Sequence, residues 1–317
     1  MATIIKLKDM RSIVENIDTV SAMEEGFIAY SNGKTVVPLV GELLFENPPG
    51  DVHIKYGYIK NDDFYVIKIA SGFYDNPKLG IPSSQGMMLL FNQKTGQPTA
   101  VLLDEGFLTD VRTAAAGALA AKYFAPKNIS AIGIICTGIQ AKLQLKYLQE
   151  NTPCKTVYVW GRNPENTQKF KDELGTDFNI HIASTPSEVA KHCNLIVTTT
   201  PSENALLLAD DVQPGTHITA VGSDTSNKQE LQSELLQKAD LVISDSIPQS
   251  KSRGEIYRAT KDGAISSEKV VELGIAIQNK LLQRTTENQI TIVDLTGVAV
   301  QDIMIAKMVY MTYLKNK

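Results

Sequence analysis

The feature that most constrains the fold of this chain is a strand, a turn and a helix within residues 129–148. The stretch reads ISAIGIICTGIQAKLQLKYL, an apolar β-type run that breaks at Cys136-Thr137-Gly138 and continues as an amphipathic helix. Gly138 can let a pyrophosphate approach the backbone, and the start of the helix offers N–H groups to the phosphates. Ala141 is small enough for close packing of helix on strand. The pattern predicts a dinucleotide-binding site, with Cys136 where the first glycine of the motif is expected.

The end of the next predicted strand, residues 156–160, bears on the choice of cofactor. The strand is followed by Gly161, Arg162 and Asn163, whereas NAD-specific folds place an acidic residue near this position on the ribose 2′-hydroxyl. An arginine can neutralise and hydrogen-bond a 2′-phosphate, so the sequence favours NADPH, with NADH as the second choice. The alternative is that Arg162 is a solvated surface side chain.

Length and composition limit the classes of function. With 317 residues and 43% hydrophobic content, we expect about two domains with sizeable cores. The net charge of −4, without a block of Lys or Arg, argues against nucleic acid or an anionic membrane as partner and favours a small molecule. The sequence has neither a signal-peptide core nor an apolar stretch long enough to span a bilayer, which predicts a cytoplasmic protein.

Cysteine and histidine usage predicts no metal site. The three cysteines, Cys136, Cys154 and Cys193, form neither an even disulfide set nor a CxxC pair, which indicates reduced thiols. The four histidines are widely separated and none has the spacing of a metal-binding motif.

Two different patterns divide the chain. Strand and helix signals alternate from residue 130 onward, which predicts a doubly wound parallel sheet. Upstream, segments 35–44, 52–59, 64–70, 86–91 and 99–104 are predicted strands of an antiparallel or mixed sheet. Helices are expected over 110–124 and 300–314, the last folding back on the first domain. The predicted fold class is α/β, with a Rossmann domain of residues 126–298 and a discontinuous α+β domain of residues 1–125 and 299–317.

Arg112 lies near the start of one of these helices. In LTDVRTAAAGALAAKYF, residues 108–124, Thr109 is a good N-cap before an alanine-rich run, which places Arg112 in the first turn. The helix dipole opposes a cation there by about 0.3 to 1 kcal/mol, and an anionic ligand would explain its presence. Backbone amides and the guanidinium together could clamp a carboxylate. The alternative is an ion pair with Asp110 or Glu105.

Lys68 lies inside the apolar strand FYVIKIA, on the same face as Ala70. If Asn61-Asp62 is a hairpin turn, Lys55 pairs with Lys68 and His53 pairs with Ala70. Two facing cations repel, and an anion between them would relieve the repulsion, which is our hypothesis for the substrate carboxylate. The alternative is a solvent-facing strand edge on which lysines prevent aggregation.

A loop with an acidic residue follows another predicted strand. The segment AVGSDTSNK, residues 220–228, lies at the carboxyl edge of the predicted sheet, where ligands of this architecture bind. Asp224 is positioned to meet a nicotinamide or a substrate, and its carboxylate could shuttle a proton to a substrate nitrogen. The alternative is that Asp224 caps a helix that begins around Asn227.

Taken together, these stretches resemble the ornithine cyclodeaminase and μ-crystallin family over nearly the whole chain. The resemblance is carried by Lys68 and by the segments SSQGMMLLF (83–91), LTDVRTAAAGALAAK (108–122), CTGIQA (136–141), VGSD with Lys228, and LTGVAVQD (295–302). It implies a Rossmann domain plus a substrate-binding and dimerisation domain completed by the C-terminal helix. Such proteins are typically homodimers.

The resemblance also implies residue roles. The positions of Lys68 and Arg112 hold the substrate carboxylate in the family, and the aspartate matching Asp224 is the catalytic acid or base in cyclodeaminases. Thr296 and Gly297 would border the substrate. The residues assigned to the cofactor are Arg112, Thr137, Gly138, Ile139, Gln140, Arg162, Asn163, Thr198, Thr200, Val221, Gly222 and Lys228.

The sequence departs from the family pattern at three positions. Many members carry an arginine ligand for the carboxylate where this chain has Val40, and we suggest that Lys55 or His53 takes over. Met87 replaces a frequent threonine near the cofactor, and Cys136 replaces a glycine.

The family contains cyclodeaminases, which recycle one bound NAD, and reductases that only reduce an imine with NAD(P)H. Because a one-way reductase gains from the reducing NADP pool, Arg162 favours a reductase. We therefore predict NADPH-dependent reduction of Δ1-pyrroline-2-carboxylate, and also of Δ1-piperideine-2-carboxylate, to L-proline and L-pipecolate. The alternatives are an ornithine cyclodeaminase, an amino-acid dehydrogenase such as one acting on alanine, and a non-enzymatic NADPH-binding protein like the crystallin member.

Overall fold

The computed structural model describes residues 2–73 and 75–317, and its internal contacts divide the chain into two units. The first comprises Met1–Thr113 and Val298–Lys317, and the second comprises Ala114–Gly297. The boundary between Thr113 and Ala114 falls inside a helix, whereas the domain boundary predicted from the sequence lies after residue 125.

The strands of the first unit form one mixed sheet. Its order is β1-β7-β6-β5-β4-β2, with β3 paired to β4, and only the β1–β7 pair is parallel. The strands are β1 (Thr3–Lys6), β2 (Thr35–Val36), β3 (Gly41–Glu46), β4 (Pro49–Ile59), β5 (Phe64–Phe73), β6 (Ser84–Asn92) and β7 (Pro98–Leu103). The predicted strand over 35–44 is interrupted at residues 37–40, where Pro38 lacks the N–H that a ladder needs.

Helices α1 (Leu7–Val14) and α2 (Thr19–Ser31) belong to the first unit. Helix α3 (Phe107–Phe124) begins in the first unit and ends in the second. The sequence analysis did not predict α1 and α2. The start of α2 nevertheless has a clear signal, because the Asp18 side chain accepts the backbone N–H of Ser21 at 2.9 Å. Helix α3 begins three residues before the predicted start at Asp110.

The second unit contains an all-parallel sheet with the order β10-β9-β8-β11-β12-β15-β13-β14. Its strands are β8 (Ile132–Ile135), β9 (Thr156–Trp160), β10 (Asn179–Ile182), β11 (Leu195–Thr198), β12 (His217–Ala220), β13 (Leu241–Ser244), β14 (Val270–Glu272) and β15 (Thr291–Asp294). Neighbouring residues of β11 enter different apolar clusters: Ile196 belongs to one, Leu195 and Val197 to the other. This is the two-sided burial of a doubly wound sheet, and the predicted fold class is confirmed.

The helices of the second unit are α4 (Ile139–Leu148), α5 (Pro164–Leu174), α6 (Pro186–His192), α7 (Ser233–Lys238), α8 (Gly254–Lys261) and α9 (Leu273–Gln278). Helix α7 starts at Ser233, after a loop that follows β12. Residues before it form a loop whose side chains reach into the sheet, as described below.

The last helix, α10 (Ala299–Lys315), belongs to the first unit and makes that unit discontinuous in sequence. It packs against α2, β4 and β5. Across residues 2–73 and 75–317, no helix combines the length and the apolar character needed to cross a bilayer.

Candidate functional site

Two lysines face each other across strands β4 and β5. The register pairs Lys55 with Lys68 and His53 with Ala70, which confirms the predicted pairing. Both lysines are buried, with 7% and 2% of their surfaces exposed, and β5 lies between β4 and β6. The alternative of a solvent-facing strand edge is therefore wrong.

The charge of Lys68 is set by its surroundings. Burial lowers the pKa of Lys68 from 10.5 to about 8, because the ammonium loses its water. The carboxylate of Asp302 raises this pKa and the positive charge of Arg112 lowers it. Lys68 is mainly cationic at pH 7 and loses its charge as the pH rises through about 8.

Asp302, in the first turn of α10, joins the two predicted carboxylate ligands. Its Oδ2 lies 3.5 Å from Lys68 Nζ, its Oδ1 lies 3.2 Å from Arg112 Nε, and only 1% of its surface is exposed. The fold thus brings Lys68 and Arg112 to one buried carboxylate. Asp302 lies in the family segment LTGVAVQD, and no role was predicted for it from the sequence.

The environment of Arg112 differs from the prediction. Helix α3 begins at Phe107, where the carbonyl and the carboxylate of Asp104 accept the N–H groups of Phe107 and Leu108. Thr109 lies inside the helix, and Arg112 is in its second turn. The argument from the helix dipole was therefore wrong, because the dipole acts mainly on the first turn.

Gln301 fixes the plane of the Arg112 side chain. Its Oε1 accepts from Arg112 Nη1 at 3.3 Å and from the Val298 N–H at 2.8 Å, while its Nε2 donates to the Arg112 carbonyl at 3.3 Å. An orienting amide and an ion-paired carboxylate on the same turn of α10 hold the guanidinium. Gln301 and Asp302 lie far from Arg112 in sequence, and these contacts were not predicted.

We call Lys55, Lys68, Arg112, Asp104 and Asp302 the Lys68 cluster. Burial raises the pKa of Asp104, which favours its neutral form, although the N–H of Leu108 opposes this effect.

His53 is less suited to an anion than Lys55. Its Nδ1 lies 3.4 Å from Glu42 and its Nε2 lies 3.7 Å from Asp51. These carboxylates would repel a substrate carboxylate placed beside His53.

The nucleotide-type turn lies between β8 and α4, as predicted. Cys136 has a φ of +136°, a conformation that L-residues rarely adopt and that explains why glycine is the expected residue. Gly138 has an ordinary φ of −75°, and an added Cβ would meet only the Cys136 sulfur, at 3.9 Å. Neither backbone strain nor packing within the chain requires a glycine there. The open space beside Gly138 and the first N–H groups of α4, at Ile139 and Gln140, suit a phosphate.

A cavity of about 230 Å³ adjoins this turn, and the predicted cofactor residues Thr137, Arg162, Asn163 and Thr200 line it. Gly161 also lines it and has a steric role that the sequence analysis missed. A Cβ at Gly161 would lie 2.7 Å from atoms of Thr137 and Thr167, so only glycine lets β9 end this close to the turn.

Arg162 and Asn163, which follow the end of β9, have different surroundings. The Asn163 side chain caps α5 by accepting the N–H groups of Glu165 and Asn166. Arg162 is exposed and lines both this cavity and an adjoining open one. Arg162 is therefore available to a ligand at the mouth of the cavity.

Asp224 and Lys228 form an ion pair of 2.6 Å between Oδ1 and Nζ. The Ser223 hydroxyl donates to the Lys228 carbonyl at 2.8 Å, which closes the loop after β12. No helix begins at Asn227 in this described part of the chain, since α7 starts at Ser233. The hypothesis that Asp224 is a helix cap is wrong, and the side chain lies at the carboxyl edge of the sheet.

The remaining predicted residues lie in hydrogen-bonded segments at the same edge. Thr296 donates its hydroxyl to Asp245 at 2.9 Å and Gly297 donates its N–H to Asp245 at 2.7 Å. Val221 donates its N–H to the Thr198 carbonyl at 2.9 Å. Thr198, Thr200 and Gly222 share one partner, Glu230, which had no predicted role. Within residues 2–73 and 75–317, no group of three or more His, Cys, Asp or Glu side chains is arranged to hold a metal ion.

These observations define a class of protein: a Rossmann-type α/β unit with a nucleotide-type turn, joined to a unit with a mixed sheet and a buried cationic cluster. Comparison with known proteins agrees with this class. The chain belongs to the ornithine cyclodeaminase/mu-crystallin family, whose model matches residues 2–317, and the predicted family is confirmed.

Individual relatives cover nearly the whole chain. An uncharacterized cyclodeaminase of Sinorhizobium fredii is 38% identical over 95% of this chain and 93% of its own length. An archaeal alanine dehydrogenase dimer with bound NAD has a TM-score of 0.90 at 33% identity, covering 99% of this chain and 97% of that one. The Δ1-pyrroline-2-carboxylate reductase of Thermococcus litoralis, solved with NADH and L-proline, has a TM-score of 0.91 at 27% identity and covers 99% and 98%. With an iminosuccinate reductase of Paracoccus denitrificans, these relatives include reductases, a dehydrogenase and a protein named as a cyclodeaminase.

Proposed function

We propose that the protein is an NADPH-dependent reductase of a cyclic imino acid, converting Δ1-pyrroline-2-carboxylate to L-proline and Δ1-piperideine-2-carboxylate to L-pipecolate. The observation that carries the proposal is the burial of two cations, Lys68 and Arg112, against one shared carboxylate, Asp302. A small monocarboxylate has the charge to bind beside Lys68 and Arg112.

Arg112 and Lys68 bind the substrate carboxylate in this proposal. Asp302 and Gln301 hold the guanidinium in a fixed plane, so its parallel N–H groups are oriented before the substrate arrives. Lys55, opposite Lys68, adds positive charge. Fixing the carboxylate also fixes the ring, and with it the orientation of the C=N bond.

Reduction of the imine adds a hydride to carbon and a proton to nitrogen. The reduced nicotinamide supplies the hydride when it is bound. The turn residues Thr137 and Gly138, with Arg162 and Thr200, would hold the dinucleotide. Asp224, or a water that it holds, supplies the proton to the imine nitrogen, and Lys228 stabilises the resulting carboxylate through its ion pair.

Arg162 determines the preference for NADPH in this proposal. Replacing Arg162 with alanine is expected to weaken NADPH binding by about tenfold or more, because a charge-assisted contact to the 2′-phosphate contributes about 1.5 to 3 kcal/mol. NADH binding is expected to change little. Titration of both nucleotides against both proteins measures this, with the exposed Lys169→Ala as control. Equal losses for NADPH and NADH would contradict the assignment.

A second candidate function is reversible dehydrogenation of an amino acid. It is favoured by the identity to the archaeal alanine dehydrogenase, 33%, which exceeds the 27% to the pyrroline-2-carboxylate reductase. The same carboxylate cluster would serve either substrate.

A substrate panel tests the proposal. We expect rapid loss of NADPH absorbance with the two cyclic imino acids and little with acyclic substrates. Reduction of NAD by alanine would instead support the second candidate, and ammonia release from ornithine without added reductant would indicate a cyclodeaminase. NADPH binding without turnover of any imine would indicate a binding protein.

We also propose that the protein is a homodimer. Strand β3 carries the large apolar side chains Leu43, Leu44 and Phe45, which are 54%, 78% and 44% exposed. Successive side chains of a strand lie on opposite faces, so Leu43 and Phe45 share one face of β3, and a second copy would cover that face. Light scattering on the purified protein measures the assembly, and a monomer would contradict it.

A further inference from the structure

Glu230 lies in the loop between β12 and α7 and is fully buried. Its carboxylate accepts three hydrogen bonds: from the Thr198 hydroxyl at 2.8 Å, from the Thr200 N–H, and from the Gly222 N–H at 2.8 Å. One carboxylate therefore ties the end of β11 to the end of β12.

The backbone around Glu230 extends this connection. Its carbonyl accepts the N–H groups of Leu206 and Leu207 at 2.7 and 3.1 Å, and the preceding Gln229 donates its N–H to the Ser202 carbonyl at 2.7 Å. Thr200, Ser202 and Leu206 all line the nucleotide cavity. Glu230 and its neighbour Gln229 thus hold the side of the cavity formed by residues 200–206 through several hydrogen bonds.

Gly222 shows how closely these segments approach. A Cβ there would lie 2.2 Å from the Thr200 carbonyl oxygen and 2.7 Å from the carboxyl carbon of Glu230. Only glycine fits between the ends of β11 and β12. The Glu230 carboxylate can therefore hydrogen-bond to both strand ends directly.

A second buried carboxylate holds Glu230 itself. Glu255, in the first turn of α8, accepts the N–H groups of Glu230 and Leu231 at 2.7 and 3.1 Å. The next residue, Ile256, donates its N–H to Asp294 on β15 at 2.9 Å. The loop is thereby fixed to the sheet at both its side chain and its backbone.

We propose that Glu230 is a positioning residue for the dinucleotide, acting through Thr200 and the cavity wall of residues 200–206. The inference rests on the proposed function, since it assumes that this cavity holds the cofactor.

The donors around Glu230 also predict a pH dependence. All three partners donate, which suits the ionised carboxylate, whereas burial favours the neutral acid and raises the pKa of Glu230 to about 7. Glu255 on α8 and Asp294 on β15 are the acidic groups coupled to it, and burial raises the pKa of both. As the pH falls through about 7, Glu230 gains a proton, loses an acceptor site and holds the wall less firmly.

Binding of NADPH to the full-length protein tests the proposal. Trp160 is the single tryptophan and lines the cavity, so its fluorescence reports binding. Glu230→Gln is expected to raise the Kd for NADPH by roughly tenfold, while kcat at saturating NADPH stays within about twofold. The Kd of the unmodified protein is expected to rise between pH 8 and pH 6, and that of the variant to change little. Glu234→Gln, at an exposed position of α7, is the matched control and should behave as the unmodified protein.

If Glu230→Gln does not fold, which thermal unfolding would reveal, a second variant still tests the proposal. Thr198→Val keeps the side-chain shape and removes only the hydroxyl that donates to Glu230, and we expect a Kd raised by a fewfold. Unchanged NADPH binding by every folded variant would overturn the inference and leave the proposed function intact. Absence of NADPH and NADH binding by the unmodified protein would instead overturn the proposed function, and the inference with it.

Discussion

The Lys68→Met variant is expected to have a kcat/KM for Δ1-pyrroline-2-carboxylate at least about thirtyfold below that of the unmodified protein. Truncating one partner of a buried charge pair costs about 2 to 5 kcal/mol, and each 1.4 kcal/mol is a factor of ten. The methionine keeps most of the side-chain volume, so the loss reports the charge. Steady-state kinetics with NADPH at saturation measures it.

Two observations make this test specific. Binding of NADPH, followed by Trp160 fluorescence, should be unchanged, and Lys94→Met, at an exposed turn, should keep full activity. Because the pKa of Lys68 is about 8, kcat/KM of the unmodified protein should also fall as the pH rises through about 8. An unchanged KM for the imino acid in Lys68→Met would remove Lys68 from the substrate site.

The Asp302→Asn variant is expected to lose about 3 to 5 kcal/mol of folding stability. Asp302 is almost completely buried, and its removal as an anion takes away the carboxylate that both Lys68 and Arg112 contact. Denaturant unfolding measures the loss. The exposed pair of Asp75 and Lys78 offers a control, since Asp75→Asn should cost less than about 1 kcal/mol.

A double variant separates electrostatics from packing. If uncompensated charge is the cause, adding Lys68→Met to Asp302→Asn should recover part of the stability, because one of the two cations is gone. Losses that simply add would contradict the explanation. A loss below about 1 kcal/mol in the single variant would show that Asp302 does not hold the two cations together.

The sequence predicted those features that depend on local periodicity. Alternation along FYVIKIA and a two-residue turn at Asn61-Asp62 were sufficient to pair Lys55 with Lys68, because register in a hairpin follows from counting residues. The strand, turn and helix around Gly138 were predicted for the same reason. Each of these features lies within a short stretch of chain.

Features that depend on distant segments were not predicted. Arg112 was placed in a first helical turn because Thr109 looks like a cap, whereas Asp104 starts the helix several residues earlier. The partner of Arg112 is Asp302, brought to it by the packing of α10, and no local pattern indicates that contact. Glu230 is one of 35 acidic residues, and only the three-dimensional structure shows that it is buried beneath two strand ends.

The discontinuity of the first unit has a consequence for biosynthesis. A ribosome releases Lys68 and Arg112 early, yet their counter-charge, Asp302, emerges only after all of residues 114–297 has been made. The N-terminal segment therefore cannot form the contacts of Lys68 and Arg112 with Asp302 until the second unit has been synthesised. Lys68 and Arg112 lack this partner until α10 has been made, so the Lys68 cluster is completed only at the end of translation.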